Sequence, residues 1–255
     1  MRSIDFSQVL FEAIQYSGND RHTITDQTFA QFRDFCSTRL KEAWEKNQWP
    51  DVVRFAPFTA VIDSDGVNSF TPVSDADEVI GCWKSLPLAS TRAIPVPYIV
   101  TDSGSDAKIV ISTLTDSGWY QYRTKCPKLT GDLYDSSIVY YKDAQIYFDS
   151  GSGTGSYTPV IGRSHIGNFY KCLTDSTIAG QNPNNTPSAW EKIQIPYVFG
   201  SYMSWGACAN WQISEGLVQE AVVIEQKANQ ILEDEFDKLQ RQQAQNPRLG
   251  FIGGY

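Results

Sequence analysis

The chain has 255 residues, above the usual size of one domain, with 21 Lys+Arg against 29 Asp+Glu and a net charge of −8. That acidic balance argues against a protein that grips nucleic acid through its phosphates, and suits one that DNA passes without sticking. No apolar run approaches the ~18 residues of a membrane span. The start, MRSIDFSQVLFEAIQ, carries acids and lacks a signal-peptide core, so secretion by that route is not expected. Asn184-Asn185-Thr186 fits a glycosylation acceptor, which has no consequence without such a route. Cys36, Cys82, Cys126, Cys172 and Cys208 are widely spaced, odd in number and form no C-x-x-C pair. They read as thiols, mostly buried, made in a reducing cytosol. The 13 Tyr, 13 Phe and 7 Trp suit β-structure and protein–protein surfaces.

The opening reads as two helices. Asp5 is a cap for the first, with Gln8 three residues on and Ile4/Val9 as a hydrophobic staple. Its apolar positions are Phe6, Val9, Leu10, Ala13 and Ile14, and Gly18 ends it. Thr25 caps the second, with Ile24/Phe29 as staple. Phe29, Phe32, Cys36, Leu40, Ala43 and Trp44 share one face, and Glu42→Lys46 adds a surface pair. Trp49-Pro50 stops the helix, because the residue before proline avoids the helical region.

From Phe55 the period changes to two. Thr59–Ile62, Val67–Val73, Val79–Trp83, Tyr98–Val100, Lys108–Ile111 and Gly118–Tyr122 read as strands separated by Ser/Asp/Gly turns and by Pro87, Pro95 and Pro97. Residues 55–128 are therefore expected to form a small β-domain. In residues 129–193, Ile138–Tyr141, Gln145–Phe148 and Asn168–Leu173 are the expected strands, with Asp149–Ser156 a flexible Gly/Ser loop. Residues 194–245 return to helix: Ile195-Pro196 opens one whose face carries Phe199, Tyr202, Gly206, Ala209 and Ile213, and Gly216 marks a break.

A long helix follows. Leu217, Ala221, Ile224, Ala228, Ile231, Leu232, Phe236 and Leu239 recur at spacings of three and four. From Ser214 to Gln245 it spans about 30 residues, or roughly 45 Å. Its other face is polar, with Asp234→Lys238 and Asp237→Arg241 in the better order for pairing. Glu215 and Glu220 stand near the positive end of the helix dipole and Arg241 and Arg248 at or past the negative end. One apolar stripe of this length needs a partner surface, expected from the helices at the start of the chain. Residues 246–255 hold Pro247, Gly250, Gly253 and Gly254 and read as an extended tail. The expected fold class is α+β: a helical bundle from the N- and C-terminal segments with inserted β-rich domains.

The helical pair ending in Trp44-Glu45 and Trp49-Pro50, together with Ile195-Pro196, Phe199, Tyr202, Gly206-Ala207 and the Ala-containing long helix, resembles tailed-bacteriophage neck proteins. These are the adaptors, or head-to-tail connectors, beneath the portal. The resemblance covers about half of the chain. It implies a non-enzymatic virion protein made in the bacterial cytoplasm. Such proteins form a homo-oligomeric ring, typically of twelve copies, between portal and tail or another neck protein, with DNA passing through without sequence-specific binding. A C-terminal segment often climbs onto the portal in such families, and Arg248, Leu249, Phe251, Ile252 and Tyr255 are the expected anchors. Burial of that apolar segment offsets the cost of ordering it.

The segment from Tyr134 to Trp190 is similar to family-5/12-type carbohydrate-binding modules, through Tyr134, Tyr140 to Ile146, Tyr170-Lys171-Cys172, Asn182-Pro183 and Trp190. It departs from their pattern in having Tyr at the first aromatic, Asp143-Ala144 at the turn and an inserted Gly/Ser loop. The resemblance makes Tyr134, Tyr170 and Trp190 candidates for stacking on sugar rings, and the competing reading makes them the core of a small module. Host-surface glycan binding is thus the alternative function. Chemistry elsewhere is thin. His22 and His165 have no second ligand at metal spacing, so neither a metal nor another cofactor is expected. No G-x-S-x-G signature supports a triad. Asp63-Ser64-Asp65-Gly66 lacks the later ligands of a calcium loop. Gly151 to Gly155 lacks the Lys-Ser/Thr of a phosphate loop.

Overall fold

The computed structural model describes residues 2–20, 24–62, 66–87, 93–103, 106–112, 116–149, 167–177 and 179–244. The fold is mixed α+β, with four helices and several sheets among these residues. It divides into two compact units, one of Met1–Lys46 with Pro127–Gln240 and the other of Asn47–Cys126 with Arg241–Tyr255.

Strand β1 (Ser3–Ile4) leads into α1 (Phe6–Tyr16), whose Phe6, Val9, Leu10, Ala13 and Ile14 are buried at helical spacing. Asp5 stands at the N-cap but makes no capping bond. Its carboxylate instead accepts from Asn168 Nδ2 at 2.9 Å and Lys192 Nζ at 2.7 Å. Asn168 Oδ1 takes the Phe6 N–H at 3.2 Å, so a remote residue satisfies the helix end that Asp5 was expected to satisfy. In α2 (Asp26–Lys46), Thr25 Oγ1 accepts the Thr28 N–H at 3.2 Å, the cap read from sequence. The buried face holds Phe29, Phe32, Cys36, Leu40, Ala43 and Trp44, and also Arg39.

The second unit contains β2 (Val53–Thr59), β3 (Val61–Ile62), β4 (Asn68–Phe70), β5 (Ala76–Trp83), β6 (Tyr98–Ser103), β7 (Asp106–Ile111) and β8 (Ser117–Thr124). They form two antiparallel sheets, ordered β2-β8-β5 and β3-β4-β7-β6. Strand β8 alternates strictly, burying Gly118, Tyr120, Tyr122 and Thr124. Tyr120 and Tyr122 join Phe58, Phe70, Cys82 and Ile109 in the core, where Phe58 stacks on Phe70 at 4.4 Å. Pro57 is tolerated because β2 is an edge strand. The other edge, β5, is interrupted by two register shifts.

The chain then returns to the first unit through β9 (Asp132–Leu133), β10 (Gln145–Asp149), β11 (Gly167–Cys172), β12 (Trp190–Lys192) and β13 (Ile195–Pro196). The sheet order is β12-β11-β10-β9, and β13 pairs with β1. Ile138–Tyr141 is not a strand: Ile138, Val139 and Tyr141 are exposed, and Tyr141 makes only an isolated bridge to Ser176. Asp143, at φ 69°, and the Ala144 N–H bonded to the Tyr141 carbonyl close a tight turn there.

Ile195-Pro196 is extended rather than helical. A short 3-10 turn, Tyr197–Phe199, precedes α3 (Gly200–Ser214). Gly216, at φ 82°, breaks the chain. Its N–H reaches the Ile213 carbonyl and that of Leu217 reaches Gln212, the double bond of a Schellman cap. The long helix α4 is therefore Val218–Ala244, shorter at its start than periodicity suggested. Its inward stripe has Ala221, Ala228 and Leu232 buried and Ile224, Ile231, Phe236 and Leu239 half-buried.

Candidate interaction surfaces

The helices from the two ends of the chain meet on α3. Phe32 of α2 stacks on Trp211 at 5.0 Å, and Trp44 tilts against Phe199 at 6.0 Å. On the other side, Tyr16 of α1 stacks on Trp205 at 3.8 Å, and Ser204 Oγ donates to the Val9 carbonyl. Lys227 of α4 holds its ammonium 3.5 Å from the Trp205 ring centre, a cation–π contact.

Arg39 ties three of these helices. Its guanidinium donates to both carboxylate oxygens of Glu225 on α4, at 2.8 and 2.6 Å. It also reaches Glu42 on its own helix at 3.1 Å and Asn210 on α3 at 2.7 Å. Burial alone would lower its pKa, but the bonds to Glu225 and Tyr202 outweigh that and raise it. Its Nε finds no acceptor among the described residues, a cost set against these bonds. The arginine stem lies so close to Gly206 that a Cβ there would stand 2.7 Å from Cδ. That contact requires glycine in the Gly206-Ala207 pair. Tyr202 donates to Glu42 at 3.0 Å, and burial pushes its phenol up to about 12.

Two surfaces of this helical region are open, an apolar corner and a groove of mixed polarity. At the corner between α3 and α4, Ile213, Leu217, Val218, Val222 and Val223 are 45–66% exposed, with exposed Glu215 and Glu220 among them. At the opposite end of α3 lies a groove of about 360 Å³ lined by Ile4, Gln8, Phe11, Glu12, Tyr197 and Ser201. Arg2 covers the Tyr197 ring at 4.2 Å. In the other unit, Val61 and Ile62 on β3 and Ile99 and Val100 on β6 are exposed. Both strands are edges of one sheet.

The expected tail anchors Arg248, Leu249, Phe251, Ile252 and Tyr255 lie outside the described residues, as do His22, His165 and the Gly151–Gly155 loop. The three candidate sugar-stacking residues do come together, but inside a core. Tyr134 is 1% exposed and Trp190 5%, packed with Ile146, Phe148, Cys172 and Ala189. Tyr170 is half-buried against the same cluster. Tyr134 stacks on Tyr140 at 5.7 Å, Tyr140 meets Trp190 edge-on at 5.6 Å, and Phe148 meets Tyr170 at 6.3 Å. These faces are spent on one another, which weighs against a sugar platform. Among the described residues of the segment the exposed aromatic is Tyr141, which no part of the motif singled out.

Among the described residues no three His, Cys, Asp or Glu side chains converge as metal ligands, and no helix is long and apolar enough to cross a membrane. Burial pushes the Cys36 thiol up to about 12 and those of Cys82 and Cys208 to about 11, far from the reactive range. No protein-family model matches the chain, and no curated protein matches it in sequence.

Proposed function

We propose that this chain is a structural assembly protein of a virus particle, whose work is mechanical. Within that class the reading is a tailed-phage head-to-tail connector, an adaptor ring in the neck between portal and tail that lines part of the DNA channel. The four helices act as one bundle in this reading. The supporting observation is that chain ends 150 residues or more apart in sequence interlock: Arg39 joins Glu225 and Asn210, and Tyr16 joins Trp205. A helical block of that kind, with an apolar corner left open at one end of α3 and a groove at the other, suits repeated contacts around an axis. The net charge of −8 suits a channel that does not hold DNA. The portal contact falls to the tail residues Arg248, Leu249, Phe251, Ile252 and Tyr255.

Electron microscopy of the purified protein, or of particles containing it, tests this reading. A ring of fixed symmetry is expected, and a particle with no such ring at its neck overturns the assignment. Removing residues 246–255 is expected to leave a folded protein that no longer joins portal-containing heads. Normal joining by the truncated chain defeats the anchoring role. The glycan-binding alternative is weakened by the burial of Tyr134 and Trp190.

A further inference from the structure

We infer that α3 and α4 are two halves of one helix folded back at Gly216, and that the opened form exchanges α4 with a second copy of the chain. In the exchanged pair, α4 of each copy lies on α2 and α3 of the other. This concerns the helical unit alone and holds whether or not the protein sits in a phage neck.

The apolar stripe crosses the bend without losing phase. It passes through Tyr202, Gly206 and Ala209 on α3 and through Ala221, Ile224 and Ala228 on α4. Between them, Ala209, Ile213, Leu217 and Ala221 follow one another at intervals of four. At 100° per residue all of these stay on one face about 140° wide. In the folded-back form every residue from 213 to 220 is exposed, so the middle of the stripe faces water. In one helix from Gly200 to Ala244, about 68 Å long, it faces the same way as the buried parts.

Opening the bend loses no backbone bond. The Gly216 N–H meets the Ile213 carbonyl at 3.0 Å and the Leu217 N–H the Gln212 carbonyl at 2.9 Å. A continuous α-helix pairs each N–H with the carbonyl four residues before it. The same two donors then take the same two acceptors crosswise, Gly216 with Gln212 and Leu217 with Ile213. The bend is free of strain only because glycine accepts a φ of 82°.

The way α4 is held decides what replaces it. Among the described residues its buried side chains are Ala221, Ala228 and Leu232, two of them alanines. Its other ties are polar: Glu225 to Arg39 at 2.6 Å, Glu233 to Lys46 at 3.5 Å, and Lys227 on the Trp205 ring. A monomer that opened would leave the buried Arg39 without Glu225, which is costly. The occupant that restores all of these contacts is α4 of an identical chain, because the vacated face is the one its own α4 already fits.

Two full-length variants push the bend in opposite directions, with far-UV circular dichroism confirming the fold and sedimentation velocity reading association. Gly216→Ala meets nothing within 4 Å, but strains the positive φ and favours the helix. It is expected to tighten a dimer at least about tenfold over the natural chain. Val218→Pro suits the first residue of α4 and breaks a helix that runs through it, so this chain is expected to stay monomeric. A cross-link separates exchange from any other dimer. Lys46→Cys with Glu233→Cys places two thiols at the exposed α2–α4 pair, in a Cys126→Ser background that leaves the other cysteines buried. A short bis-maleimide then joins two chains in an exchanged dimer and links one chain to itself otherwise. The two-chain band on a denaturing gel is expected from the Gly216→Ala dimer. A dimer that gives only self-linked chains overturns the exchange, and so does a Gly216→Ala chain that folds and stays monomeric at every concentration. A Val218→Pro chain that gives the two-chain band overturns it as well. Should Gly216→Ala not fold, the same cysteine pair in the natural chain at high concentration decides by the same band. Absence of a ring at the neck bears on the connector reading and leaves these outcomes unaffected.

Discussion

Replacing Arg39 with Met removes the cation that joins α2, α3 and α4 while keeping most of the stem that packs on Gly206. The side chain is 9% exposed, and the partners Glu225 and Glu42 are 35% and 49% exposed. Breaking a fully buried ion pair by deleting one member costs about 3–5 kcal/mol. Both carboxylates here can recover some water, and exposed pairs contribute far less, so the expected loss is about 2–3 kcal/mol. Against a total stability of about 5–15 kcal/mol that is a large fraction. Urea unfolding followed by the far-UV helix signal measures it. Adding Glu225→Leu to Arg39→Met is expected to restore stability to within about 1 kcal/mol of the natural chain, because an apolar pair leaves neither charge stranded. An Arg39→Met loss below about 1 kcal/mol, or a double variant no more stable than the two singles predict together, would refute the role given to Arg39.

Trp190→Ala empties a site 5% exposed, and a cost of about 3–5 kcal/mol is expected, read as a lowered unfolding midpoint. A fully stable variant that had lost only glycan binding would reverse the placement of this ring in the core. In the native protein a thiol reagent is expected to label Cys126 first, since Cys36, Cys82, Cys172 and Cys208 are buried, and to label all five only after denaturation. Rapid native labelling of Cys36 or Cys208 contradicts the packing of α2 and α3. Asp5 titrates below its usual 3.8 although burial opposes this, because the bonds to Lys192 and Asn168 and the charge of Lys192 favour the carboxylate. Its contribution is therefore complete above the unfolded value of 3.8 and lost as pH falls through the lower folded value. The stability gap between the natural chain and Asp5→Asn is expected to be constant from neutral pH to about 5 and to shrink below 4, by urea titration at each pH. A gap that widens in acid has the wrong sign.

Local periodicity sufficed for α1 and α2, though not for the starts of α3 and α4. Phe6, Val9, Leu10, Ala13 and Ile14, and Phe29 to Trp44, recur at a spacing that only one helix face satisfies, and those faces are buried. Thr25 caps α2 with atoms three residues away, which any reading of neighbours captures. The alternation of β8 is equally local. What failed was local too, but with the decisive partner elsewhere. Asp5 has the sequence of a cap, yet Lys192 and Asn168, more than 160 positions away, hold its carboxylate. Ile138–Tyr141 has the composition of a strand, but it runs into the turn at Asp143 with Ile138, Val139 and Tyr141 exposed and only Tyr140 packed on Tyr134 and Trp190. Arg39 stands on an apolar helix face and gave no sign of being the tie to Glu225 and Asn210.

Neighbouring residues are enough for the bodies of α1, α2 and α4 and for the alternation of β8, because φ and ψ preferences and side-chain period act over a few positions, but not for Ile138–Tyr141 or Ile195-Pro196. The sequence also determined the acidic charge. What each face meets is a matter of long-range packing. The burial of Tyr134 and Trp190, the exposure of Ile213, Leu217, Val218, Val222 and Val223, and the groove beside Tyr197 all depend on contacts between residues far apart in the chain. Hydrophobic burial is non-directional and has no fixed sequence distance, so composition names the apolar residues without naming which of them remain open to a partner.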